Sequence, residues 1–288
     1  MQLQTTGNRI FQYSNAVLFV IISIVMLYPF WYVVMFSLSD PSNVSVNNLY
    51  LLPNGFTLAS YQNVLKSPLI FSGFANTLII TIVGTFINLG LTALTAYPIS
   101  RNRLVGRVYL FAFIMFTMIF QGGIIPTYLI VRSLGLLDTL WALMLPLAIN
   151  VYNLLIMMKF FKNIPDSLIE AAYIDGCSDW GVFFRIVCRI SGPVFAVIGL
   201  FYAVQHWNDF FQGMLYLNNQ QLWPLQVGLR NLLIGGQMAE QMGAMETNVS
   251  SESFKMASVV VTVLPILLLY PFLQKFFVKG IMLGSVKG

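Results

Sequence analysis

Ionised side chains are missing from six long stretches of this sequence: between Arg9 and Asp40, Lys66 and Arg101, Arg107 and Arg132, Asp138 and Lys159, Arg189 and Asp209, and Lys255 and Lys275. Each reaches the ~17–25 residues that a helix needs to cross a ~30 Å hydrocarbon core. A Lys, Arg or Asp at the centre of such a helix costs ~2.5–3.5 kcal/mol, so gaps of this length seldom arise by accident. Charged residues make up only 9% of the chain and hydrophobic ones 58%, whereas soluble domains carry roughly 25% charged residues. Lipid is the solvent that fits this balance. The spacing predicts an all-α membrane protein with six transmembrane helices near 16–38, 72–98, 108–131, 139–158, 193–215 and 257–277.

An even number of spans places both termini on one side of the membrane. Arg9, Arg101, Arg103, Arg107, Lys159, Lys162, Arg185, Arg189, Lys275, Lys279 and Lys287 would share that side, leaving Lys66, Arg132, Arg230 and Lys255 opposite. The positive-inside rule makes the richer side cytoplasmic. The net charge of +5 therefore reports orientation and carries no hint of nucleic acid. Ala16–Ser37 is too long for the apolar core of a cleavable signal and lacks an A-x-A site. Cys177 and Cys188 fall in a cytoplasmic loop, where thiols stay reduced. With His206, the sole histidine, a span away, they form no metal site and are read as packing residues. No nucleophile–base pair or metal cluster lies within the spans, so no catalytic residue is assigned.

Between the fourth and fifth spans lies a charged loop. Pro165 suits a helix's first turn, and Ser167-Leu168-Ile169-Glu170 matches the S-x-x-E capping box. Gly176 sits where a helix ends in a left-handed residue. Together they predict a helix of about two and a half turns, too short to be stable alone in water. It needs a surface to pack on. Leu168, Ile169, Ala172 and Tyr173 supply a contact face, for a partner or for the chain's own bundle.

Glu170-Ala171-Ala172, Asp175-Gly176, Phe183, Ile186 and Pro193 follow the E-A-A-x-x-D-G-A…F-x-x-I…P pattern of ABC-importer permeases of the maltose type. Cys177 replaces the family's alanine, and Arg189 the first of its two prolines. Ala96-Tyr97 with Arg101 resembles the family's A-Y-x-x-x-R signature; Pro126-Thr127-Tyr128, Trp207-Asn208 and Phe210 fall at family positions. The tail Gln274–Gly288 resembles the end of the shorter maltose permease. The resemblance implies a type I ABC-importer permease fold, with an EAA coupling helix on the cytoplasmic side. It implies a non-catalytic subunit of an ATP-hydrolysing complex, forming the translocation pathway for an oligosaccharide across the bacterial inner membrane. Glu170, Ala171, Ala172, Asp175 and Gly176 would contact the ATPase, as would Gly284, Ser285, Val286 and Lys287 in the tail. Implied partners are a second homologous permease making a heterodimer, a cytoplasmic ATPase dimer holding ATP and Mg, and an extracytoplasmic substrate-binding protein. This chain itself would bind no cofactor. The GIMLGSVKG ending is similar to a subgroup handling fragments of plant or algal polysaccharides, uronate-containing ones included. The expected division is a cytoplasmic tail 1–15, a first transmembrane helix with outer loop 16–71, a core permease domain 72–277 and a cytoplasmic tail 278–288.

Thr77, Thr81, Thr85, Asn88, Thr92 and Thr95 recur at helical spacing. Such a stripe serves either helix packing or the lining of a pathway. Gln205, His206, Trp207, Asn208 and Asp209 gather polar groups near one end of the fifth span. Thr81, Thr85, Asn88, Trp207, Asn208 and Asp209 are the candidate substrate path. The long outer loop 216–256, with Met238, Met242 and Met245 at helical spacing, either docks the binding protein or folds back on its own bundle. An ion-coupled secondary transporter is the rival reading. It calls for intramembrane charges and an inverted repeat, and this sequence shows neither clearly.

Overall fold

A computed structural model describes residues 6–42, 44, 48–241 and 252–268, and these are almost wholly helical. Among them no strand forms; Ser39 and Phe56 make one isolated antiparallel bridge. The helices are α1 (Thr6–Ser37), α2 (Ala59–Lys66), α3 (Pro68–Ser100), α4 (Arg107–Ile119), α5 (Ile124–Ser133), α6 (Trp141–Met144), α7 (Val151–Lys162) and α8 (Asp166–Ile174). Then come α9 (Asp179–Ile190), α10 (Gly192–Asn208), α11 (Phe211–Tyr216), α12 (Leu225–Gln241) and α13 (252–268).

Among the described residues two helices, Phe11–Ser37 of α1 and α3, are long and apolar enough to cross a membrane unbroken; counting each bent pair as one span gives four. The expected spans 108–131, 139–158 and 193–215 are thus not single rods. α4 and α5 meet at 114°. The break is at Gly122-Gly123, where Gly123 has φ 83°, a conformation glycine adopts without steric cost. Pro126 then sits in the first turn of α5, where its missing N–H is not needed. Pro146 separates α6 from α7, and α7 restarts at Asn150, whose side chain accepts from Tyr152 and Asn153 N–H. α10 ends where Asp209 turns extended and its carboxylate accepts from Gln212 N–H at 3.1 Å.

The chain divides into two compact units. One comprises the N-terminal segment through Ile70 together with Leu229–Leu264; the other is Phe71–Gly228, resuming at Pro265. In the first, the end of α1 is held by an aromatic cluster: Tyr32, Phe36 and Tyr50 lie 5.3–5.9 Å apart between ring centroids. Ser37 also hydrogen-bonds Tyr61 at 2.7 Å. The rest of α1 presents Phe19, Ile24, Met26 and Leu27 outward, as a lipid-facing helix requires. The core of the second unit is built from Ala93, Ala96, Leu154, Phe161, Ile198 and Tyr202, joined by Ile169, Ala172, Val182 and Phe183 of the loop region. Cys177 and Cys188 pack against this core as free thiols. Among the described residues no group of metal-ligating side chains forms.

Candidate coupling site and polar path

The Glu170-Ala171-Ala172 sequence lies within α8, nine residues long. The expected capping box does not form. The N-cap is Pro165, without a side-chain cap, and the helix opens on Asp166. Arg101 holds Asp166 there at 3.1 Å, and a carboxylate in a first turn suits the helix dipole. At the other end the expected left-handed glycine is present. Gly176 has φ 80°; its N–H donates to Tyr173 C=O at 3.0 Å and Cys177 N–H donates to Ala172 C=O at 2.9 Å. These two bonds define a Schellman motif. A Cβ added at Gly176 would meet nothing within 4 Å, so its backbone, not crowding inside this chain, calls for glycine.

The face assigned to α8 needs correction. Ile169 and Ala172 are buried in the chain's own core, and Tyr173 is half-buried beside them. Ala172 is therefore removed from the outward surface, because i, i+3 and i+4 positions share one helix face. The face left open carries Leu168, Ala171, Ile174 and Asp175, with Glu170 at its edge. Ile174 is 86% exposed, and Trp180 and Phe184 continue the apolar surface at 64% and 58%. Ile174 itself belongs to a short helix in a charged loop and not to a long apolar helix, so lipid does not explain its exposure.

Around α8 runs a polar clasp that sequence reasoning did not assemble. Arg101 follows the last residue of α3. Its guanidinium donates to Asp166 and, at 2.8 Å, to Phe161 C=O, a carbonyl in the last turn of α7 that also accepts from Ile164 N–H at 3.2 Å. Its carbon lies 5.3 Å from the centre of the Tyr97 ring. Arg103 stacks 5.4 Å from the Tyr173 ring, and Tyr173 O–H donates to Asp179 at 2.6 Å. That bond favours the protonated phenol and pushes its pKa up to about 12. Tyr97, Arg101, Arg103, Lys162, Tyr173 and Trp180 help line a cavity of ≈ 760 Å³. The A-Y-x-x-x-R spacing flagged two of these residues and the contact face of the loop helix a third, Tyr173; Asp166 and Asp179 carried no signal of their own.

α9 follows with a π-helical segment, Val182–Val187, whose Val182, Phe183 and Val187 side chains are buried. Such bulges recur at functional positions. Here the widened turn sets Phe183 5.2 Å from Tyr97. The loop is thereby packed onto the end of α3.

Two residues of the polar stripe of α3, Asn88 and Thr92, form a zipper against α10. Thr92 O–H shares a 2.7 Å bond with Tyr202 O–H, which accepts from Asn150 N–H at 3.0 Å. Asn88 bonds His206 Nε2 at 3.0 Å. Thr77 accepts from Leu225 N–H at 2.8 Å, and Thr95 bonds back to Leu91. Gly84 makes the His206 contact possible, since a Cβ there would lie 2.6 Å from Nε2. Trp207 is 5% exposed and packs edge-on against Phe74 at 5.8 Å. Asn208 is exposed but bonds back to Val204 C=O; Asp209 serves the turn into α11. Thr81 and Thr85 keep buried hydroxyls without a partner in the structure, as does Asn88 Oδ1. Of the six candidate path residues, these three hold buried polar atoms that no group in the structure satisfies. Gly284, Ser285, Val286 and Lys287 lie outside the described residues, as do Met242 and Met245.

Residues 5–283 match the family described as "Binding-protein-dependent transport system inner membrane component". The chain belongs to that family and is a membrane permease subunit of an ABC transporter. It is 43% identical to "Protein LplC" of Bacillus subtilis (strain 168) over 99% of this chain and 97% of that protein. It is also 43% identical to the "Polygalacturonan/rhamnogalacturonan transport system permease protein YtcP" of the same organism, covering 98% of this chain and 99% of that one. Among solved structures it resembles "a bacterial ABC transporter involved in the import of the acidic polysaccharide alginate". That similarity has TM-score 0.88 at 31% identity and covers 96% of this chain and all of the matched one.

Proposed function

We propose that this chain is the permease of an ATP-driven importer of oligosaccharides released from acidic polysaccharides, driven through α8 by a cytoplasmic ATPase. The observation carrying the coupling role is the outward face of α8. A helix of this length is unstable alone, yet it is fixed to its own core by Ile169 and Ala172 and still presents Leu168, Ala171 and Ile174. Glu170, Ala171, Asp175 and Gly176 form the ATPase contact. The names of YtcP and the alginate importer support an acidic cargo. The complex contains a second permease, an ATPase dimer and an extracytoplasmic binding protein. The chain makes six crossings of the inner membrane, several of them broken, with both termini cytoplasmic.

Thr81, Thr85 and Asn88 supply polar oxygen atoms to the path, while Trp207 and His206 brace it. Proteoliposomes holding the complete complex test this reading. Oligogalacturonides or alginate oligomers should accumulate only with ATP inside the compartment that faces the ATPase. Accumulation driven by a proton or sodium gradient without ATP contradicts it.

A further inference from the structure

The geometry points to Arg101 as the positioning residue that makes the coupling helix and α3 move together; this rests on the coupling role proposed for α8. Arg101 engages three elements at once. It meets α8 through Asp166, the end of α7 through Phe161 C=O, and its own α3 through the Tyr97 ring. The corner from which it projects is fixed. Ser100 O–H donates to Tyr97 C=O at 2.6 Å and Arg101 N–H to Pro98 C=O at 3.1 Å. The planar guanidinium suits such a joint, because it presents several donors in a rigid fork.

α3 is a suitable lever. At 33 residues it extends about 50 Å, and along that length Asn88 and Thr92 tie it to α10 through His206 and Tyr202. A push on α8 therefore reaches both helices of the polar zipper through this cationic side chain, beside the apolar core that Ile169 and Ala172 share with them. The carboxylate end of the joint is exposed (Asp166 78%) while the arginine is 15% exposed. The Phe161 carbonyl and Tyr97 contacts therefore dominate, and Asp166 steers.

The test uses the complete complex in proteoliposomes, measuring ATPase co-purification, ATP hydrolysis and uptake of an oligogalacturonide. Arg101→Gln should leave the ATPase bound and hydrolysing while uptake per ATP falls about tenfold, the scale of one charge-assisted hydrogen bond. Arg101→Lys keeps the charge and should recover part of that loss. Asp166→Asn, at an exposed position that does not threaten folding, should lower uptake per ATP about twofold. The proposal is overturned if Arg101→Gln transports as well per ATP as the parent complex. It is equally overturned if Arg101→Lys is no better than Arg101→Gln, or if uptake falls only in step with lost assembly. Failure of the unaltered complex to retain an ATPase would instead refute the coupling role of α8 itself.

Discussion

Substitution at Gly176 separates two reasons for a glycine at the end of α8. A residue with a Cβ in the left-handed region costs roughly 1–2 kcal/mol; asparagine tolerates that region, and a β-branched residue is an outlier there. Because a Cβ at this position meets nothing within 4 Å, the cost inside this chain is conformational only. About 1 kcal/mol for Gly176→Ala lowers the population of the closed Schellman end about fivefold, and about 2 kcal/mol for Gly176→Val lowers it about thirtyfold. Hydrogen exchange reads this directly, since Gly176 and Cys177 N–H are the two donors of the motif. Their protection should fall in the order Gly, Asn, Ala, Val, and ATP-driven uptake should follow the same order. An order set by size, with Ala tolerated and Asn as damaging as Val, would refute the backbone explanation and point to close packing against the ATPase.

Further expectations concern the bracing residues. Trp207→Ala, which removes a buried ring packed on Phe74, should destabilise the permease by about 3 kcal/mol in thermal unfolding, without altering which oligosaccharide is preferred; a change of preference at unchanged stability refutes the bracing role. Gly84→Ala forces a Cβ to 2.6 Å from His206 Nε2 and should cost about 1–3 kcal/mol by overpacking; a melting temperature equal to the parent's contradicts the close crossing of α3 and α10. Outside the spans, Asp138 accepts from Asn218 and Asn219 N–H, which holds its carboxyl below the usual carboxylate range. A depressed folded pKa stabilises above the unfolded value and is lost as pH falls through the folded one. The protection of the Asn218 and Asn219 amides, taken against their intrinsic exchange rates, should therefore fall only below about pH 4, and Asp138→Asn should abolish that dependence. Tyr173→Phe removes the 2.6 Å bond to Asp179 and should cost about 1 kcal/mol or less in thermal unfolding; a loss above about 3 kcal/mol contradicts a single exposed bond.

Much of this was legible because membrane helices and helix ends obey local rules. The charge-free stretch between Lys66 and Arg101 became one unbroken helix, and Gly176 ended α8, since hydropathy and left-handed backbone are both written residue by residue. The breaks were less visible. Gly122-Gly123 and Pro146 could mark a kink or merely punctuate a rod, and charge spacing cannot tell these apart. The inward face of α8 stayed open for a related reason: Ile169 and Ala172 fit a partner or a core equally well until Val182 and Phe183 fold back over them. The α3–α10 zipper depends on Gly84 admitting His206 and on Asn150 reaching Tyr202, pairings of residues far apart in sequence.

The outward edge of α8 gives the most direct test. In a complex whose permease carries Cys177→Ser and Cys188→Ser, cysteines are placed one at a time at Ala171, Ile174 and Ala172, and a short thiol crosslinker is added. Ala171→Cys and Ile174→Cys should join to the ATPase in assembled, transporting complexes, and Ala172→Cys should not. Efficient crosslinking from Ala172 with none from Ala171 or Ile174, or none from any of the three, would contradict the account.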